Sequence, residues 1–299
     1  MEPGVDLDLR KVRYFVEVAE RLHFGQAALA LHITQPALSR QIQQLERELG
    51  TELFARSSRE VDLTLAGEQF LHDSRQLLAY ARTALDSVRR TAAGQDALRV
   101  GFMLGMDTQA TLKAFSLRRP GVGVLLERLR WWNHGEAVRE GRVDAGFVRL
   151  PIDAEGLDLL PLYAEPIRIA LPAEHPLAGA AAVRIADVAG EPVLPYADAG
   201  AAWNSFWCVD PRPDGTQPRR GPAVHDMEEI VEYVRRGRGA AFLPEAVCAV
   251  FPRPGIAYLP VSDLPPGQVA LARPAGRTAP LVDVLAAAAR ETLGGVPAG

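Results

Sequence analysis

Along the first fifty residues, apolar side chains recur at three- and four-residue steps, the signature of helices with one buried stripe. Leu9, Val12, Phe15, Val18, Ala19 and Leu22 place a helix over residues 9–22. His23-Phe24-Gly25 reads as a break. A short helix then runs from Gln26 to Leu31, with Ala27 and Ala28 small enough for close contact. His32-Ile33-Thr34 forms a turn. A third helix spans Gln35 to Leu49 and stops at Gly50, with Thr34 as N-cap and Pro36 in the first turn. Its buried stripe is Leu38, Ile42, Leu45 and Leu49, and its opposite face carries Gln35, Pro36, Ser39, Arg40, Gln43 and Arg47. Residues 51–64 give two short β-like stretches flanking a turn that carries Arg56 and Arg59.

From residue 66 to 95 the pattern changes. Phe70, Ser74, Leu77, Ala81, Ala84 and Val88 alternate steps of four and three, an a/d seam that favours helix pairing, and Leu71, Leu78 and Leu85 widen it. A helix packed on its own domain would show the same stripe. Ala92-Ala93-Gly94-Gln95 reads as a hinge. Beyond it, strands alternate with helices: strands at 98–104, 123–129, 143–148, 167–171, 240–243 and 269–272, and helices at 108–118, 135–140, 224–236 and 280–293. That alternation predicts an α/β domain with a largely parallel sheet.

Hydrophobic content of 48% and charged content of 23% suit a soluble globular chain, and no apolar run approaches the ~20 residues that cross a bilayer. The first residues are acidic where a signal peptide is basic, so a cytoplasmic protein is expected. The net charge of −4 means that any nucleic-acid binding rests on where charges sit, not on overall basicity. Cys208 and Cys248 form no metal-ligand spacing and have no basic sequence neighbours that would activate a thiol, so buried structural roles are expected. G-x-S-x-G, H-E-x-x-H, P-loop and G-x-G-x-x-G signatures are missing. No catalytic residue, metal or cofactor is expected, and His225-Asp226 reads as a helix N-terminus capped by Asp226.

The helix at 35–49 carries the chemistry. Gln and Arg bond bidentately to adenine and guanine edges, and here they sit at the N-terminal end that enters the major groove in helix-turn-helix proteins. Glu46 and Glu48 lie toward the far end. Arg56 and Arg59 on the hairpin are placed to meet phosphates, the contacts that set register and salt dependence. Periodicity alone is equally compatible with a helical bundle whose outer face is merely solvated.

Longer motifs change that weighting. Val12-Arg13-Tyr14-Phe15-Val16-Glu17-Val18-Ala19-Glu20, Phe24-Gly25-Gln26-Ala27-Ala28, Thr34-Gln35-Pro36-Ala37-Leu38-Ser39-Arg40-Gln41-Ile42, Leu45-Glu46-Arg47-Glu48-Leu49-Gly50, Leu53-Phe54-Ala55-Arg56 and Leu63-Thr64-Leu65-Ala66-Gly67 closely resemble the LysR-type transcriptional regulators. Gly141–Val148 and Gly237–Pro244 extend the resemblance, so it covers essentially the whole chain. Gly25 departs from the usual Ser or Thr.

The resemblance implies an α + α/β architecture. A winged helix-turn-helix (1–65) is followed by a linker helix (66–95) through which such regulators pair. The effector-binding domain (96–299) resembles periplasmic binding proteins, with subdomain I at 96–165 and 263–299 and subdomain II at 166–262, crossed near Pro166 and Ser262. It implies binding to an inverted repeat in double-stranded DNA as a homodimer or a dimer of dimers. The residues matching Thr34, Gln35, Pro36, Ser39, Arg40 and Arg56 lie at the DNA in that family.

In this fold a small-molecule effector binds between the subdomains, at strand ends and helix N-termini. The loops concerned are Gly105-Met106-Asp107, Trp131-Trp132-Asn133, Ala202-Trp203 with Phe206, and His225-Asp226. Arg149, just past a strand, is placed to pair with an effector carboxylate. Relatives that bind aromatic-pathway acids often carry small hydroxyl residues at the positions of Gly105, Trp131 and Ala202. Here indoles crowd the region instead. That suits a flat or apolar, aromatic effector held by stacking; the same tryptophans also suit core or interface positions.

Overall fold

A computed structural model describes residues 7–56, 61–92, 97–276 and 278–294. The chain forms two compact units, residues 1–92 and 93–299.

In the first unit, α1 (Leu9–Arg21), α2 (Phe24–Ala30) and α3 (Gln35–Leu49) precede strands β1 (Phe54–Arg56) and β2 (Val61–Leu63), then the long α4 (Leu65–Ala92). The expected break at Phe24-Gly25 is instead the first turn of α2, because the His23 imidazole caps it by accepting from the Gln26 amide at 3.2 Å. α3 has the expected bounds, and Gly50 takes the left-handed conformation (φ 71°) that ends it. Leu38, Ile42 and Leu45 are fully buried, whereas Leu49 is 38% exposed and does not belong to the buried stripe. The core is aromatic: Phe15 packs on Phe54 (5.3 Å between centroids) and on Phe70 of α4 (5.0 Å). β1 and β2 pair antiparallel, Phe54 opposite Leu63.

Two sheets make up the second unit. The first is ordered β4-β3-β5-β10-β6, built from β3 (Ala97–Phe102), β4 (Gly123–Arg128), β5 (Ala145–Arg149), β6 (Leu157–Glu165) and β10 (Gly267–Pro274). Helices α5 (Gln109–Arg118), α6 (His134–Arg139) and α10 (Pro280–Leu293) belong to it. The second sheet is ordered β8-β7-β9, from β7 (Ile167–Pro172), β8 (Ala241–Pro244) and β9 (Ile256–Pro260). It carries α7 (Ala201–Trp207), α8 (Met227–Arg235) and α9 (Glu245–Val250).

The chain passes between the sheets from Glu165 to Ile167 and returns between Pro260 and Gly267. The first sheet is mixed and the second antiparallel, which corrects the expectation of a largely parallel one. β3 pairs parallel with β4 and β5, but β10 runs antiparallel to β5 and β6, and the named strands of the second sheet are all antiparallel. β10 returns from the far end of the chain to lie between β5 and β6, so its ladder joins segments about a hundred residues apart in sequence, beyond the reach of local pattern.

Candidate nucleic-acid interface and effector cleft

The outer face of α3 is built by contrast with its inner one. While Leu38, Ile42 and Leu45 seal the core, Gln35, Pro36, Arg40, Gln43 and Arg47 are exposed and Ser39 is half-buried. Thr34 occupies the N-cap with no side-chain hydrogen bond to the helix. Arg40 and Arg47 lie along the helix, each donating from Nε to a carbonyl one turn back, Pro36 and Gln43, at 3.2 Å. Arg56 ends β1 at the hairpin. The Arg56 side chain and Arg59 lie outside the described residues. Gly25, in place of a hydroxyl residue, leaves its α2 position beside Gln35: a Cβ there would stand 3.6 Å from the Gln35 Oε1.

Two contacts that the sequence did not reveal hold this face in position. The Glu46 carboxylate is buried and accepts the amides of Leu53 (3.0 Å) and Phe54 (3.3 Å), tying α3 to the start of the hairpin. Lys11 is also buried and donates to both carboxylate oxygens of Glu48 (2.6 and 2.8 Å), tying α1 to α3. That hydrogen bond to Lys11 holds the Glu48 carboxyl below the usual carboxylate range.

In the second unit a cavity of about 50 Å³ lies between the sheets. Its walls include Leu129 and Trp131 from one lobe, and Tyr196, Trp203, Trp207 and Leu243 from the other. The rings form one chain of contacts: Trp131 meets Trp132 (5.2 Å) and Tyr196 (5.1 Å) edge-on, Trp203 meets Tyr196 (6.2 Å) and His134 (5.1 Å) edge-on, and Trp203 lies tilted against Trp207 (5.4 Å). The Trp131 indole donates to the Ala197 carbonyl at 3.0 Å, joining the lobes across the cleft. The indole nitrogens of Trp203 and Trp207 and the Nε2 of His134 are buried and hydrogen-bond to nothing among the described residues.

Of the residues expected at an effector, the structure brings Trp131, Trp203 and Arg149 to this cavity. Arg149 is 2% exposed and already committed. It pairs with Glu165 (Nε to Oε1, 2.5 Å) and donates to the Leu104 carbonyl at 2.7 Å, so the carboxylate it meets is the protein's own. Gly105, at φ +81°, presses against α9: a Cβ there would lie 2.8 Å from the Ala246 carbonyl carbon.

The remaining candidates fall away from the cavity walls. Met106 is buried, and Asp107 accepts the Gln109 amide at 2.9 Å. Trp132 lies under the Arg130 guanidinium (5.5 Å), and Asn133 accepts the Arg130 amide at 2.9 Å. Ala202 is exposed and Phe206 half-buried; both sit on α7 with Trp203, a helix where a loop was expected. Asp226 caps α8 by accepting from the Glu229 amide at 2.8 Å, and His225 is exposed beside Glu229 (3.1 Å). Met103, Leu104, Leu129, Met227, Leu243 and Val247 also line the cavity; lone apolar residues at strand ends and in the first turns of helices carry no sequence signal that separates a cleft wall from a core.

Both cysteines are buried, and burial pushes the Cys208 thiol up to about 11 and the Cys248 thiol up to about 12. Cys208 does have basic neighbours in space, Arg220 and Arg212, which oppose that rise without overcoming it.

Known proteins share this plan. Residues 9–68 match the family model of the bacterial regulatory helix-turn-helix proteins of the lysR family, and residues 93–294 match the LysR substrate binding domain. The uncharacterized HTH-type transcriptional regulator YnfL of Escherichia coli (strain K12) is 39% identical over 80% of this chain and 83% of its own. The HTH-type transcriptional regulator AlsR of Bacillus subtilis (strain 168) is 31% identical over 82% and 83%. The solved structure of full-length CbnR complexed with its target DNA aligns with a TM-score of 0.63 at 23% identity, covering 95% of this chain and 99% of that one. A helix-turn-helix with an exposed recognition face and a two-lobed binding domain thus occur in one chain in their established order, and this chain belongs to the LysR family of DNA-binding, effector-responsive transcriptional regulators.

Proposed function

We propose that this regulator reads an inverted repeat with Gln35, Ser39, Arg40 and Gln43 at base edges. Thr34, Pro36, Arg56 and Arg59 then sit against the backbone and groove walls. The working division is a DNA-binding domain at 1–65, a pairing helix at 66–95 and an effector domain at 96–299. Exposed Tyr80, Leu85 and Val88 on α4 support pairing of two copies through that helix, as a homodimer or a dimer of dimers. The protein acts in the cytoplasm and has no catalytic role.

One observation carries the DNA assignment. The polar row on α3 is exposed, the apolar row of the same helix is sealed in the core, and Glu46 ties the helix to the start of the β1–β2 hairpin.

The effector in this reading is a flat or apolar molecule seated between the lobes, against the aromatic chain from Trp131 to Trp207. The cavity of about 50 Å³ is a third of the ~150 Å³ in which an engineered apolar cavity holds benzene. An aromatic ring therefore enters only as the lobes part, which supplies the population shift that transmits the signal.

The test is binding to the operator, measured by fluorescence anisotropy across a salt series. Arg40→Ala costs about 1–3 kcal/mol on the cognate site and relaxes discrimination at one position. Arg56→Ala weakens cognate and random DNA alike and lowers the salt slope by about one. Equal loss in both variants, or none in either, refutes the assignment.

A further inference from the structure

Arg212 follows α7 in a segment whose neighbours, Pro211 and residues 213–217, are exposed, yet Arg212 itself is only 3% exposed. Its Nε, Nη1 and Nη2 are all buried, and none has a hydrogen-bond partner among the described residues. The guanidinium lies 5.8 Å from the centroid of the Phe242 ring, a contact that attracts the cation but accepts no planar pair of N–H bonds. The acids within electrostatic range, Asp214 and Asp210, do not bond the guanidinium: Asp210 pairs with Arg220, and Asp214 accepts the Thr216 amide (2.9 Å) and hydroxyl (2.7 Å). A buried guanidinium whose N–H groups meet no acceptor is a state folded proteins avoid. A guanidinium fork fits the paired oxygens of an oxyanion.

We propose that Arg212 is the floor of an anion-binding site, separate from the cleft, that takes a small oxyanion such as inorganic phosphate or a simple carboxylate. The exposed residues that follow form a turn closed by backbone bonds: the Arg212 amide donates to the Thr216 carbonyl (2.8 Å) and the Arg212 carbonyl accepts the Gly215 amide (2.9 Å).

The site is wired to the cleft. The carbonyl of Phe242, whose ring lies by the guanidinium, accepts the buried Tyr196 hydroxyl at 2.7 Å. The Tyr196 ring in turn packs on Trp131 and Trp203 of the cavity wall. An anion that repositions Arg212 over Phe242 therefore bears on the walls that an effector must part, and the regulator reads two chemical inputs.

Full-length protein is titrated with inorganic phosphate and, separately, with formate at constant ionic strength, and binding is followed by calorimetry and thermal unfolding. Saturable binding is expected in the wild type, with Arg212→Gln losing about tenfold or more in affinity and Arg212→Lys retaining part. Binding of phosphate alone assigns the site to a tetrahedral oxyanion, and binding of formate as well assigns it to carboxylates. No saturable binding of either anion to the wild type overturns the proposal, as does equal binding by Arg212→Gln. Should that variant fail to fold, wild-type crystals soaked in bromide decide. An anomalous peak within hydrogen-bond reach of the guanidinium supports the site, and peaks only elsewhere overturn it.

Discussion

His134 shows how one buried ring can set a pH limit. It is 6% exposed, its Nδ1 lies 3.1 Å from the Arg130 carbonyl, and its edge meets Trp203. A carbonyl can only accept, so the neutral ring carries its proton on Nδ1. Burial lowers its pKa from 6.5 to about 4, with the Arg139 charge acting in the same direction. Between those values the unfolded chain binds a proton that the folded one refuses. Stability from this site is therefore complete above pH 6.5, declines as pH falls toward 4 and is flat below that, a loss on the order of 3 kcal/mol. His134→Asn keeps a donor for the Arg130 carbonyl but does not titrate. Denaturant midpoints of this variant should vary less with pH than wild type between 6.5 and 4, and identical slopes would exclude His134 as the cause.

Among the elements, α3 shows what its own residues fix and what they leave to partners. Its stripe, its Pro36 start and its Gly50 end are local, so pattern alone locates them. What points its polar face outward is not local. Glu46, which looked like one more acid at the far end of the helix, accepts two buried amides of the hairpin; Lys11, on α1, anchors Glu48. Removing the Glu46 acceptor leaves those amides without it, at about 1–3 kcal/mol each. Glu46→Ala should lower the stability of the first unit by about 2–6 kcal/mol and weaken DNA binding without altering base preference; unchanged unfolding would show that the hairpin amides find other partners. The same division explains the elements that pattern missed. α7 and α9 are single short helices whose aromatic or apolar runs show no full period, and β6 and β9 become strands only by pairing with β10 and β7, partners distant in sequence. For the cleft, Trp131 and Trp203 stand out in the sequence because the chain's four tryptophans fall in two short runs, whereas the commitment of Arg149 to Glu165 depends on a strand crossing that no local pattern reveals.

For the binding domain as a whole, the deciding property is how firmly its two lobes hold together without an effector. Two contacts from the first lobe bear on this: the Trp131 hydrogen bond to Ala197, and Gly105 seated against the backbone at the start of α9. Gly105 is required twice over, by a φ of +81° and by the absence of a Cβ, which would stand 2.8 Å from Ala246 and Val247 backbone atoms. Gly105→Ala therefore combines backbone strain of roughly 1–2 kcal/mol with a wedge between the lobes. Gly156→Ala separates the two effects, because Gly156 has a φ of +69° and nothing within 4 Å of its would-be Cβ. Strain alone predicts similar losses of stability and no change at the cleft in either variant. The wedge predicts that Gly105→Ala, and not Gly156→Ala, breaks the Trp131 bond, shifts indole emission to the red without any ligand, and leaves a reporter promoter at one level whatever effector is supplied. If Gly105→Ala keeps wild-type emission and a full effector response, the cleft does not signal by parting.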